Sequence, residues 1–262
     1  MLESIILGAV QGISEWLPVS SEGVIVLIQM NFLDDITLEQ AIRMALFLHL
    51  GTFFAALLYF RKDIKKLLKA LFNFKNSTED TKKVFWFLII ATLISGLMGI
   101  VFLQIVIEYE DKFSAAKFIN LFIAAFLLIT GYLQLRSQKD GLRKERDIKK
   151  IDGVILGLVQ GLSPIPGLSR SGLTVSALLL RKFNDIDALR LSFLLSLPIV
   201  LGGNIFLNLN KATLTLENIV GVLSAFIFGY LTIHLFLKTA RKLNFGYFVL
   251  GFAFLVIISV FI

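Results

Sequence analysis

The chain has 262 residues, 56% hydrophobic and 17% charged, with no cysteine, a net charge of +7 and a mean hydropathy of +0.82. A soluble globule carries about 25% charged residues, so this composition excludes a soluble enzyme, a nucleic-acid binder, a disordered chain and a disulfide-stapled secreted domain. Without cysteine, thiolate metal ligation and thiol chemistry are excluded too. An all-α integral membrane protein remains.

In chain order, the first apolar stretch, 5–32, is broken at Pro18-Val19-Ser20-Ser21-Glu22-Gly23. No basic segment precedes it, and Gly8, Gly12 and Pro18 interrupt it, so it is not a cleavable signal. It reads as helix, polar loop, helix, each half about ten residues long and too short to cross a hydrocarbon core of about 30 Å. Stretches long enough to span follow at 41–60, 84–107 and 115–135. A second broken stretch, 153–180, is split at Pro164-Ile165-Pro166-Gly167-Leu168-Ser169-Arg170-Ser171-Gly172 and precedes further spans at 188–207, 216–237 and 244–262. Irregular backbone at membrane depth survives only where protein buries it or it lines a wet cavity. The expected architecture is therefore six transmembrane helices plus two re-entrant helical hairpins. Between the first two spans, Arg61, Lys62, Lys65, Lys66 and Lys69 alternate with Ile64, Leu67, Leu68, Leu71 and Phe72 at helical spacing. That pattern predicts an amphipathic helix over 61–75, lying on an anionic leaflet.

Charge sets the orientation. Segments 61–83, 136–150, 181–182 and 238–242 hold 20 of the 26 Lys and Arg residues. The positive-inside rule assigns these four loops to the cytoplasm and the remaining connections to the outside. Six spans then alternate without contradiction, and each hairpin returns to the side it left.

The two broken stretches also align with each other. Residues 7–23 fall on 156–172 without a gap, with eight of 17 positions identical. The single membrane domain thus divides into two repeats, about 1–136 and about 152–262, each a hairpin followed by three spans. Three is odd, so the second copy is inverted relative to the first. Broken helices in inverted repeats meet near the bilayer midplane, where the partial positive charge of their N-termini suits an anion.

Polar residues concentrate in the hairpins: Gln11, Ser14, Glu15, Ser20, Ser21 and Glu22 in the first, and Gln160, Ser163, Ser169, Arg170, Ser171 and Thr174 in the second. Charge at membrane depth is a functional candidate by default. Gln11 and Glu15 share a helix face at i,i+4, and a carboxylate there suits either a hard cation or proton transfer. Arg170 offers a permanent charge and a planar fork that matches phosphate oxygens; an ion pair with Glu15 or Glu22 is its structural alternative. One of Ser20 and Ser21 serves as an N-cap, which leaves the other available as a nucleophile. His49, in the first full span, is a further candidate, whereas His234 reads as a hydrogen-bonding strut.

At these residues the sequence resembles a known family. Gln11-Gly12-Ile13-Ser14-Glu15-Trp16-Leu17-Pro18-Val19-Ser20-Ser21 and Pro166-Gly167-Leu168-Ser169-Arg170-Ser171-Gly172-Leu173-Thr174 look like the two signature motifs of undecaprenyl pyrophosphate phosphatases of the bacitracin-resistance type. The resemblance implies an enzyme of the cell membrane that removes the terminal phosphate of a polyprenyl diphosphate at the outer face, regenerating the lipid carrier for envelope glycan synthesis. It implies a divalent cation, Mg²⁺ or Ca²⁺; Glu15, with Glu22 as a second carboxylate, is the expected holder by the chemistry of the residues. By position, Glu15 matches the essential acid, Ser21 the proposed nucleophile and Arg170 the phosphate-binding arginine. Gln11, Ser20, Gln160, Ser169, Ser171, Thr174 and His49 are carried as substrate-binding positions. Where bacterial members commonly continue Ser-Ser-Thr-Gly-His, this chain has Ser20-Ser21-Glu22-Gly23-Val24, so no mechanism using that histidine operates here. The Ser-Ser-Glu-Gly form is associated with archaeal members and a dolichyl-type lipid. A lipid-phosphate or anion transporter is the rival class, since the same architecture and arginine would serve it, and a homo-oligomer stays open.

Overall fold

The hydropathy pattern produces helices of two lengths. In the computed structural model, which describes residues 1–17, 19–33, 36–108, 116–136, 141–208, 215–239 and 245–259, the described residues contain α-helices, short 3₁₀ turns and no named strand. Two pairs are short: α1 (Leu2–Ser14) with α2 (Ser21–Phe32), and α7 (Lys150–Gln160) with α8 (Arg170–Leu180). At 1.5 Å per residue each is about 16–20 Å long, well under the hydrocarbon thickness. Five helices are long and apolar enough to cross a membrane: α3 (Leu38–Tyr59), α5 (Glu79–Glu108), α6 (Ala116–Arg136), α9 (Asp185–Asn208) and α10 (Leu216–Thr239). Together with the hydropathy they make this a multi-pass integral membrane protein. The stretch expected as the sixth span contains α11 (Phe245–Ser259), a 15-residue, mostly apolar helix shorter than the other five among the described residues. Residues 244 and 260–262 of that span lie outside the described residues, as do Pro18 in the first break and parts of the loops used for orientation, including 34–35, 109–115, 137–140, 209–214 and 240–244.

The amphipathic pattern after α3 forms α4 (Arg61–Phe72), followed by a 3₁₀ turn over Phe74–Asn76. Ala70 faces inward, and Leu68, Leu71 and Phe72 stand exposed beside the lysines. Asp63 of α4 pairs with Arg190 of α9 at 2.6 Å, which ties this surface helix to the bundle.

Packing is exchanged between the halves. α1 packs most extensively on α10, and α7 on α5, so each leading half-helix leans on the middle span of the other half. Small residues allow the approach. A Cβ added at Gly12 would lie 2.6 Å from the Gly229 nitrogen and 2.7 Å from the Ala225 oxygen of α10. A Cβ added at the aligned residue of the second repeat, Gly161, would lie 2.6 Å from the Met98 Cβ of α5. Close backbone approach through small residues is a main source of helix association in lipid, where apolar burial supplies no drive between helices. Trp16 closes the first contact by donating from Nε1 to the Gly229 carbonyl at 2.8 Å while its ring meets Phe193 edge-on at 5.2 Å. The base of the second hairpin is fixed by Asp152, fully buried, which accepts from Arg143 at 2.7 Å and pairs with Arg181.

Replacing Gly12 with leucine should push α1 off α10, since overpacking of a close contact costs about 1–3 kcal/mol. A fall in the thermal midpoint of the detergent-purified protein relative to wild type is the expected result.

Candidate active site at the hairpin tips

Each hairpin turns just before a serine that caps the helix after the break. Ser20 is the N-cap of α2, its hydroxyl accepting from the Gly23 amide at 3.0 Å. Ser169, the aligned residue, caps α8 and accepts from the Gly172 amide at 3.1 Å. Both caps also reach across to the other hairpin. Ser20 Oγ accepts from the Gly167 amide at 3.2 Å, and Ser169 Oγ donates to the Val19 carbonyl at 3.0 Å. Ser171 Oγ adds a third bond, to the Leu17 carbonyl at 3.1 Å. Two helix N-termini therefore meet, and their free N–H groups and dipoles leave a local excess of positive potential.

Gly167 makes the second turn possible. Its φ of +96° is open to glycine alone among common residues, and a Cβ there would lie 3.0 Å from the Ile123 Cα and Phe126 Cβ of α6. Thr130, buried on α6, holds the same turn through the Gly167 carbonyl and the Ser169 amide, each at 3.4 Å.

Between the tips, Glu15 pairs with Arg170, residues contributed by the two different repeats. Glu15 is 4% exposed and the Arg170 side chain 13%. Gln11 Nε2 donates to Glu15 Oε2 at 2.9 Å, and Ser21 Oγ donates to the same oxygen at 2.8 Å. His49 of α3 brings Nε2 to 3.1 Å from that oxygen and 3.4 Å from Ser21 Oγ. Its Nδ1 lies 2.6 Å from the Ala45 carbonyl, which only accepts, so Nδ1 carries a proton and donates it. Arg170 keeps one guanidinium nitrogen, Nη1, buried and without a hydrogen-bond partner.

A cavity of about 280 Å³ opens onto this cluster. Of the sequence-derived candidates, Glu15, Ser20, Ser21, Glu22, His49, Gln160, Ser169, Arg170 and Ser171 line it. Gln11 stands behind Glu15 and does not line it. Thr174 is turned away, its hydroxyl bonded to the Arg170 carbonyl at 2.8 Å and to Ser192 at 2.7 Å. Ser20 rather than Ser21 is the cap, and α2 begins at Ser21. Thr92, Ser95 and Thr130 were not singled out by the sequence; a lone hydroxyl in an apolar span gives no signal until a tertiary partner is known. His234 bonds Tyr59 at 3.2 Å, away from the cavity lining, as a strut would.

Carboxylate and hydroxyl oxygens of this kind suit a hard divalent cation. Glu15 and Glu22 both line the cavity, with the Ser20 and Ser21 hydroxyls beside them. Among the described residues no three His, Cys, Asp or Glu side chains form a metal cage. The residues thus fit a cation that takes part of its coordination shell from a bound phosphate.

Long apolar helices closed around a charged cavity define a polytopic membrane protein with polar side chains gathered where the short helices meet. A family model described as Bacitracin resistance protein BacA matches residues 4–258, and the chain belongs to that family. A protein of Methanococcoides burtonii named undecaprenyl-diphosphatase is 41% identical over 264 residues, covering 99% of this chain and 98% of its own. One of the same name from Methanothrix thermoacetophila is 36% identical, covering 94% and 92%. Undecaprenyl-diphosphatase 1 of Shouchella clausii is 36% identical, covering 100% of this chain and 96% of its own.

Loss of a capping hydroxyl costs about 1 kcal/mol. Ser20→Ala and Ser169→Ala should each lower the thermal midpoint in detergent, and together they should lower it by more than either alone.

Proposed function

We propose that this protein is a membrane polyprenyl diphosphate phosphatase of the undecaprenyl-diphosphatase type, which releases the terminal phosphate and recycles the lipid carrier for envelope glycan synthesis. One observation carries the reading: a carboxylate, a guanidinium with an unpaired nitrogen and a serine hydroxyl converge where two helix N-termini meet inside the helical bundle. That is a site for a phosphoryl group, whose transfer needs positioning and charge stabilisation more than covalent machinery. The names of the close relatives agree with it.

The chain's own residues perform the following work. Arg170 and the amides at the starts of α2 and α8 bind phosphate oxygens, Arg170 exchanging part of its contact with Glu15 for the substrate. Ser21 Oγ attacks the terminal phosphorus; the new O–P bond forms as the bond to the bridging oxygen breaks, and the prenyl monophosphate leaves with that electron pair. The hydroxyl proton has an acceptor in reach in Glu15 Oε2, to which Ser21 Oγ already donates at 2.8 Å. Water then releases phosphate from Ser21. Glu15 and Glu22 would hold a divalent cation, Mg²⁺ or Ca²⁺, which supplies charge neutralisation at the phosphate oxygens when bound. His49 occupies the neighbourhood of Ser21 from α3, so this chain has an imidazole beside its serine although Val24 stands where bacterial members carry histidine.

The remaining features of the reading concern placement. The paired hairpins, with α11 as a sixth span, form an inverted repeat. Supporting this, aligned residues do equivalent work: Gly12 and Gly161 at the exchanged packing contacts, Ser20 and Ser169 as caps. The site faces the outside of the cell membrane in this reading, supported by a cavity lining that reaches Leu103 and Leu207, near the ends of α5 and α9 opposite the basic loops. A homo-oligomer is compatible with the exposed apolar surface but no residue calls for one. Transport of a lipid phosphate uses the same architecture; the serine held by Glu15 is what sets hydrolysis above it.

Purified protein should release phosphate from a polyprenyl diphosphate in detergent micelles, where there are no compartments to transport between, and a chelator should abolish release. Arg170→Ala and Glu15→Ala should each lose at least about a hundredfold in kcat/KM, the scale of losing one preorganised charge contact. Full turnover in either variant overturns the site. For Ser21→Ala a comparable loss is expected; near-normal turnover would assign the attack to water instead.

A further inference from the structure

The glycines fall into two sets. Those of α1 and α7 meet a neighbouring helix, as described. Gly96 of α5 and Gly202 of α9 meet nothing: a Cβ built on either finds no atom within 4 Å, and one on Gly99 finds only Pro164, at 3.5 Å. All three line the cavity. Gly251 of α11 is equally open, but it does not line the cavity. A glycine inside a helix costs about 1 kcal/mol relative to alanine, and no packing contact accounts for that at 96 or 202.

A second observation lies at the head of this open strip. Gln160 is 1% exposed and lines the cavity; its Nε2 donates to Ser95 Oγ at 3.0 Å, and its Oε1 is buried without a partner. Thr92, one turn before Gly96, has a buried hydroxyl that is also without a partner. Below these polar groups the walls are apolar: Ile100 and Leu103 on α5, Pro198 and Phe206 on α9. Phe206 is 50% exposed and Pro198 exposed as well, so the strip continues from the polar cluster to the lipid-facing surface between the two helices.

We propose that this slot between α5 and α9 binds the isoprene units nearest the diphosphate, with Gly96, Gly99 and Gly202 giving room for the methyl branches and Gln160 and Thr92 meeting the polar end of the chain. The proposal rests on the reading of the substrate as a prenyl diphosphate, and it adds the feature by which the chain is recognised. A straight acyl chain is narrower at every branch point and leaves the glycine clearance unfilled, so the slot discriminates by shape. A single methyl-sized mismatch in an apolar pocket is worth about 10–200-fold.

The test uses full-length protein in detergent with three probes: farnesyl diphosphate, unbranched decyl diphosphate and methyl diphosphate, which has a headgroup and no chain. Wild type should favour farnesyl over decyl. Gly96→Ala with Gly202→Ala should abolish that preference. Gly96→Leu with Gly202→Leu should raise KM for both long probes at least about tenfold and leave kcat/KM for methyl diphosphate unchanged. A folded leucine variant with wild-type KM for farnesyl diphosphate overturns the proposal. A benzophenone-tagged, methylene-bridged farnesyl diphosphate gives a second measurement that needs no turnover and no variant. Crosslinks within 96–103 and 198–206 support the slot, even where wild type releases no phosphate and the phosphatase reading alone fails. Crosslinks elsewhere overturn the slot, even where phosphate is released.

Discussion

One ion pair organises the centre of the molecule. Glu15 and Arg170 are 155 residues apart in sequence and buried among apolar helices. Removing two charges from water is expensive, and mutual attraction offsets it only when the remaining lone pairs and protons are also satisfied. The chain meets that condition for the acid, through Gln11, Ser21 and His49, and leaves it unmet for the arginine, whose Nη1 has no partner. The asymmetry supports the proposed role of Arg170: a fully satisfied pair would be a structural lock, whereas this one leaves a buried donor without a partner.

Around that pair, the architecture solves a geometric problem. A helix that begins inside a bundle has unsatisfied amides that must be met by protein or water. Both hairpins supply this with a capping serine that also bridges to the opposite tip, so the two breaks stabilise each other. The exchange of partners, α1 with α10 and α7 with α5, holds each tip against the other half's framework. Neither half presents a complete site by itself.

Much of this was legible in the sequence, because membrane proteins write their constraints in hydropathy. The long spans, the two breaks, the surface helix after Tyr59 and a cap at one of Ser20 and Ser21 all follow from local pattern; which of the two caps, and that Ser169 does the same for α8, came from the structure. The motifs located Glu15, Ser21 and Arg170. What could not be read was which face each span turns inward. His49 was one histidine in an apolar run, and only the packing of α3 against the first hairpin brings it to Ser21. Thr130 and Ser95 gave no sign for the same reason. Thr174 shows the converse: it belongs to a motif, yet its hydroxyl serves α8 and Ser192 and not the cavity, since motif membership does not separate a residue that touches ligand from one that steadies its neighbours. Gly96 and Gly202 were silent as well, because a glycine that clears space and one that admits a neighbouring backbone look alike in one dimension.

The bond from Trp16 to Gly229 has a consequence for how the chain is made. The permanent neighbour of the first hairpin is encoded 213 residues later. At a translation speed of about 5–20 residues per second, roughly 10–40 s pass before α10 leaves the ribosome. Throughout that interval α1, a helix too short to span and followed at once by a carboxylate, exists with its docking groove still unsynthesised. The insertion machinery, or a provisional contact with α3, must shelter the newborn N-terminus until the last quarter of the polypeptide arrives to receive it.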